Sequence, residues 1–435
     1  MRSQVFDESA NFTCRGCTAC CDQPWRTSIE ADKAHRLDQH DFSAYPQLRN
    51  VRFYREPADG REGVYDLAKG EGTKCLFLDA DGLCIIHKEL GPQAKPNMCR
   101  QFPLLPSRTW VEDRISANYG CPCIQDRCGT PLAEQRSEVA EVVPLSTRPA
   151  NPDGPIVLDA TTKLTQAEGK AFFDRALAIF DERTDTDLWR RFAELLVLLS
   201  ATGELKSQSP NDPRQVIDRL SQPAQLPDGP PTEPIRAYAS LADAPMAARF
   251  LFAATLYPDT VPTNSAGAMG FLQRLARIPK LMALAQMSGG YPSRVLGRNV
   301  HIGEVMQHKV AEELPPSATR LLARYYRSRL WQQFPAGTRL PVVAGVHQHI
   351  QDLNAIIFLA RAEACRKNES ELTEPLIRKT LTRVEFHLAN QPRLYDHTLK
   401  GWLKSQLGSL ALACRSLRLM ALHPAPQPAP VSRTN

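Results

Sequence analysis

The chain reads as an α+β protein: a small cysteine-rich metal-binding module with short strands, followed by a mostly α-helical domain. Three observations point there. Ten of the twelve cysteines lie before residue 129. Apolar residues recur at helical spacing beyond residue 160. Between the two regions, prolines 144, 149, 152 and 155 break up a stretch with few apolar residues. The expected boundaries are 11–128 for the module, 129–160 for a linker and 161–422 for the helical domain. That domain contains a proline-rich loop at 204–233, and a disordered tail runs over 423–435.

Composition narrows the class. At 435 residues, with 43% hydrophobic and 23% charged residues, the chain can bury a sizeable core. A net charge of +6 over this length does not indicate nucleic acid. Residues 1–13 hold no apolar signal segment, and no run reaches the ~18 apolar residues of a membrane helix. The expectation is therefore a cytoplasmic protein with no membrane association. In that compartment thiols stay reduced, so clustered cysteines point to metal rather than to disulfides.

The module opens on Cys14-Arg15-Gly16-Cys17-Thr18-Ala19-Cys20-Cys21. Cys-x-x-Cys spacing needs a turn that aims both sulfurs at one point, and Gly16 supplies the freedom for it. Thr27 or Ser28 caps an expected short helix over 29–39, with Glu30 and Asp32 at its positive end. Val51–Arg55 and Val64–Leu67 alternate as strands. Two apolar runs around Asp81-Gly82 predict a hairpin that brings Cys75 and Cys84 together. Cys99 follows in a proline-bracketed turn, Thr109–Val111 and Arg114–Ala117 suggest a last hairpin, and Cys121 closes the series.

Thiolates are soft anionic ligands that suit zinc or an iron–sulfur cluster. The vicinal pair Cys20-Cys21 is awkward for one tetrahedral zinc because adjacent side chains diverge. The thiols also outnumber one four-cysteine site, so two zincs, or one cluster plus spare thiols, would fit. Both details lean toward iron–sulfur; a structural zinc that only supports folding is the alternative. His87 could complete a site or simply pack beside it. Cys123 and Cys128 are spare candidates, and Cys365 and Cys414 are core thiols of apolar helix faces.

Helices are expected over 166–182, 187–201, 234–256, 267–287, 318–334, 342–364, 374–390 and 399–422. In the second, Leu188, Phe192, Leu195, Leu196 and Leu199 form one apolar face. Arg320, Arg324, Arg327 and Arg329 read as a solvated helix face, and His301, His308, His347 and His349 as surface histidines.

The ordered series Cys14-x-x-Cys17-x-x-Cys20-Cys21, Cys75-Leu76-Phe77-Leu78, Asp81-Gly82-Leu83-Cys84-Ile85-Ile86-His87, Lys95-Pro96-x-x-Cys99-Arg100-x-Phe102-Pro103 and Cys121-Pro122 closely resembles the CxxCxxCC zinc- or iron-chelating family. This YkgJ-like group includes proteins described as flagellin lysine-N-methylases. The resemblance covers about residues 11–125. It implies Cys14, Cys17, Cys20, Cys21, Cys75, Cys84, Cys99 and Cys121 as the family's cysteines. For the methylase branch it also implies an iron–sulfur cluster, S-adenosylmethionine and a protein substrate methylated on lysine side chains. Cys123 directly after Pro122 departs from the family's Cys-Pro-Gly ending. No strand–glycine-rich loop–helix unit for S-adenosylmethionine is visible, and Pro24 stands where a Cys-x-x-x-Cys-x-x-Cys motif would place its third cysteine. A non-enzymatic scaffold with a structural zinc, or a metal carrier or sensor, is the reading without catalysis.

Overall fold

The computed structural model describes residues 4–23, 26–57, 60–109, 112–142, 155–184, 186–209, 212–221, 246–256, 278–311, 313–332, 341–388, 407–417 and 419–420. The chain is α+β, with short strands gathered in the N-terminal region and helices dominating afterwards.

Two three-stranded sheets organise the N-terminal region. In one, Asp113–Ala117 is central, parallel to Gln4–Phe6 and antiparallel to Leu104–Arg108. In the other, Val64–Leu67 is central between Ser28–Glu30 and Tyr54–Arg55, all antiparallel. Alternation along the first sheet sends Ile115 and Ala117 into a hydrophobic core. Ser116, facing the other way, is also buried and bonds Asp7 Oδ2 (2.6 Å) and Ser328 Oγ (2.7 Å) on a helix far along the chain.

That contact reflects how the cores divide. A large core joins the first sheet and residues 119–139 to the helices beyond 155, while a smaller one is built only from residues between Ile29 and Ala94. In the stretch expected as a linker, Thr130–Pro131 pairs with Asn11–Phe12, Arg136–Val142 is helical, and Leu132 and Val139 are buried.

The helical part is laid around Val342–Lys367. This helix is buried along nearly all its length and is packed by Met246–Leu256, Ile302–Gln307, Glu374–His387 and Leu410–Leu417. Local signals start two other helices: Thr165 and Glu168 form a capping box on Gln166–Ile179, and Asp187 accepts bonds from the N–H groups of Trp189 and Arg190 on Leu188–Gln208. The five apolar residues read as one face of that last helix are all buried.

Several expectations change. The helix near residue 30 spans Ala31–Asp38 and has no side-chain cap, because Ser28–Glu30 is taken into the sheet. The stretch 204–233 is not loop throughout: the preceding helix continues to Gln208, and Pro213–Ser221 is a further helix, started by a proline at its first position. A hairpin, Gly290–Ser293 with Arg298–His301, follows the Ile278–Ala285 helix. The expected segments 234–245, 267–277 and 399–406 and the tail 423–435 lie outside the described residues.

His347 and His349 are buried at 0% and 1% exposure, not on the surface, because their helix runs through the core. The arginine face is solvated only in part: Arg320 is exposed, but Arg324 bonds Glu182 and the Gln125 carbonyl, and Arg329 is buried against Glu385 and Tyr325. Sequence periodicity marks these arginines as the polar side of their helix. Only neighbouring elements reveal that the Arg324 and Arg329 part of this side is covered.

Candidate metal centre

The cysteines are placed by turns rather than by long elements. After Phe12 the chain enters a loop in which Gly16 (φ 64°) and Thr18 (φ 60°) are both left-handed. Cys21 N–H then bonds back to the Thr18 carbonyl at 2.8 Å. The Sγ atoms of Cys20 and Cys21 lie 3.8 Å apart, so this vicinal pair faces one way instead of diverging. The geometric objection to zinc therefore falls.

Cys75 is tied to this loop directly, its N–H donating to the Cys21 carbonyl at 2.7 Å. The turn after it closes through Gly82 N–H to the Asp79 carbonyl and Asp79 N–H to the Leu83 carbonyl. Gly82 (φ 81°) also lets the two loops touch, since a Cβ there would sit 3.1 Å from the Gly16 carbonyl oxygen. The expected hairpin is reduced to one bridge, Leu78 with Cys84, because Ile85–Leu90 turns helical directly after Cys84. Lys88 on that helix holds Asp79 (2.6 Å) and Asp81 (2.5 Å) and fixes the turn to it.

Cys99 sits on a short helix, Asn97–Gln101, rather than in a bare turn. Its start is supplied from elsewhere in the fold. Glu30 accepts from Asn97 N–H (3.1 Å), while buried Lys33 donates to the Lys95 carbonyl (2.9 Å) and to Asn97 Oδ1 (2.5 Å). Cys121 precedes the helix Pro122–Gln125, whose Cys123 is buried.

These pieces enclose a cavity of about 230 Å³. Seven of the eight thiols singled out from the sequence line it; Cys75 does not, and Cys123 joins them. His87 is also in the wall. The cavity lies where the two cores meet: Cys121 and Cys123 belong to the larger core, and Cys75 and Cys84 pack against the smaller one. Cys365 and Cys414, both half-buried, are far along the chain on helices.

The donor chemistry fits a thiophilic metal. Burial pushes the Cys75 thiol up to about 11 and the Cys121 thiol up to about 12. Cys84 and Cys99 are raised mainly by burial, and Cys21 mainly by its contact with Cys20. Without a cation these groups hold their protons; a bound metal displaces them and stabilises the thiolates. The positive charges of Lys69 and Lys95 act on Cys21, and Lys95 also acts on Cys84 and Cys99. A tetrathiolate–dication centre carries excess negative charge, and these lysines would offset it. Among the described residues no three Cys, His, Asp or Glu side chains are drawn to ion-binding spacing, so the thiols meet in pairs and an ion would have to draw them in.

No described helix is long and apolar enough to cross a membrane. No curated protein and no solved structure matches the chain. Residues 13–122, the stretch that builds the cavity's loops, match the model of the CxxCxxCC family, described as a "putative zinc- or iron-chelating domain".

Proposed function

We propose that the protein chelates zinc or iron, the latter as an iron–sulfur cluster, through thiolates drawn from Cys14, Cys17, Cys20, Cys21, Cys75, Cys84, Cys99 and Cys121. One observation carries this reading: cysteines from four separate chain segments line a single cavity between two cores. A purely structural use of thiols would scatter them through each core. Here they gather where the cores face each other, so a metal would hold the two together as well as itself.

Protein-lysine methylation is the finer reading. It takes S-adenosylmethionine as cofactor and lysine side chains of a partner protein as substrate, and it rests on the family resemblance alone. The cavity and its thiols bear on chelation, so chelation is the reading to test first.

The test is anaerobic purification of the full chain, with iron, labile sulfide and zinc quantified beside the absorption spectrum. Stoichiometric zinc, or iron with sulfide and visible absorption, is the expected result. Metal content per chain should fall in the double variant Cys84→Ser/Cys99→Ser. A reduced, folded protein that retains neither metal, and takes up neither on reconstitution, overturns the proposal.

A further inference from the structure

The thiols at and near the cavity divide between the two cores that flank it, with Cys75 and Cys128 outside its lining. On the wall of the smaller core, backbone bonds link Cys75 to Cys21, and Leu78 of the following turn pairs with Cys84. Cys99 faces them, and the charges of Cys75, Cys21 and Cys84 all bear on its thiol. On the wall of the larger core, Cys121, Cys123 and Cys128 are buried together, and the charge of Cys17 bears on both Cys121 and Cys123.

The Cys123–Cys128 contact is built by the backbone. The helix Pro122–Gln125 ends with Arg127 N–H bonding to the Ile124 carbonyl (3.2 Å) and Cys128 N–H to the Cys123 carbonyl (2.9 Å). Arg127 is left-handed at φ 52°. This is a Schellman ending, in which the side chains at the two ends of the six-residue span are brought into contact, usually as an apolar pair. Here both are cysteines, with Sγ atoms 3.0 Å apart. Cys123 Sγ also reaches the Thr13 carbonyl at 3.0 Å, beside Cys14. Neither Cys123 nor Cys128 lies within the family match, which ends at residue 122.

We propose that the chain holds two metal ions, one on Cys21, Cys75, Cys84 and Cys99 and a second on Cys17, Cys121, Cys123 and Cys128. Each set offers the four thiolates of a closed tetrahedral site, and each dication would displace four thiol protons. Cys14 and Cys20 stay outside both sets. The two walls also have separate counter-charges: Lys69 and Lys95 bear on the first set, and Arg15 on Cys123. This inference rests on the chelation reading and adds to it the number of centres and two ligands outside the family motif.

The test uses the full chain, reduced, stripped of metal and reconstituted with cadmium alone. Two equivalents bound and two thiolate-shifted cadmium NMR resonances are expected. Cys123→Ser/Cys128→Ser should remove one resonance and Cys84→Ser/Cys99→Ser the other. One equivalent with one resonance, untouched by Cys123→Ser/Cys128→Ser, overturns the second centre while single-centre chelation stands. Loss of both resonances from either variant with unchanged circular dichroism also overturns it, because the ions would then share ligands. No cadmium bound at all removes the chelation reading with it. The wild-type resonance count needs no variant, so a variant that fails to fold leaves the test intact.

Discussion

Single residues carry the module's tightest constraints. Gly129 is left-handed (φ 85°), and a Cβ there would fall 2.1 Å from Thr13 Oγ1 and 2.6 Å from the Thr13 backbone nitrogen. Side-chain rotation can relieve the first clash but not the second. Gly129→Ala should therefore separate the Asn11–Phe12/Thr130–Pro131 ladder from the Cys123–Cys128 turn. The expected cost is about 1–3 kcal/mol, read as a lower midpoint in urea unfolding. At the other end of the chain, Arg329 is buried beside Tyr325 and bonds Glu385 at 2.6 Å. Arg329→Met leaves the Glu385 carboxylate buried without this partner and should cost about 3–5 kcal/mol. An effect below ~1 kcal/mol in denaturant unfolding would show that Glu385 is well served by its other contacts, among them the Tyr325 hydroxyl at 2.7 Å.

At the scale of elements, the helix Val342–Lys367 couples packing to pH. The His347 ring sits in the core, where a carbonyl can only accept, so Nδ1–H donates to Leu407 O (3.2 Å) and Nε2 is left to accept from Ser416 Oγ (2.8 Å). Burial pushes its pKa down to about 4, against the opposing pull of the Leu407 carbonyl. The unfolded chain takes up this proton near the ordinary 6.5, and the folded chain only near 4. Stability is therefore fully present above 6.5 and is lost as pH falls from 6.5 toward 4, by up to about 3 kcal/mol. Thermal unfolding across that window should show the loss, and His347→Gln should flatten it. A wild-type profile that is level between pH 7 and 4.5 would contradict the buried neutral histidine. In the module, Lys33 is a positioning residue for the short helix of Cys99. Lys33→Met should weaken metal affinity roughly 10- to 100-fold, as losses around a ligand do, and leave the metal count per chain unchanged.

Leu188, Phe192, Leu195, Leu196 and Leu199 predicted their helix because an amphipathic face repeats locally. Val64–Leu67 was read correctly as a strand for the same kind of reason. Ser28–Glu30 was assigned to a helix start because its capping residues fit one. Pairing with Val64–Leu67, more than thirty residues away, overrides that preference. The prolines around Pro213–Ser221 suggest a loop by composition, whereas Pro213 starts a helix by position.

For the whole molecule, the relation of the two cores to the cavity sets the expected response to metal loss. The larger core extends from residue 6 to residue 420 and includes Cys121, Cys123 and Cys128 among many residues remote from the cavity; the smaller one is confined to residues 29–94. If thiolate–metal bonds hold the smaller core to the larger, a chelator should expose residues 13–100 to limited proteolysis while 155–388 stays protected. Restoring metal should reverse this. Equal protection of both regions with and without metal would mean that packing alone joins the cores.

The sequence alone determined the division into a cysteine-rich part and a helical part, the helix-forming segments, and the soft-donor chemistry. Each of these is local, written in residue type, spacing and periodicity. Tertiary structure alone decided which thiols meet, that Cys20 and Cys21 face the same way, and that Cys123 and Cys128 touch. It also decided that Arg329, His347 and His349, expected at the surface, are interior. Those outcomes depend on the left-handed turns the folded backbone adopts and on which distant element covers a given face, and residue type and periodicity specify neither.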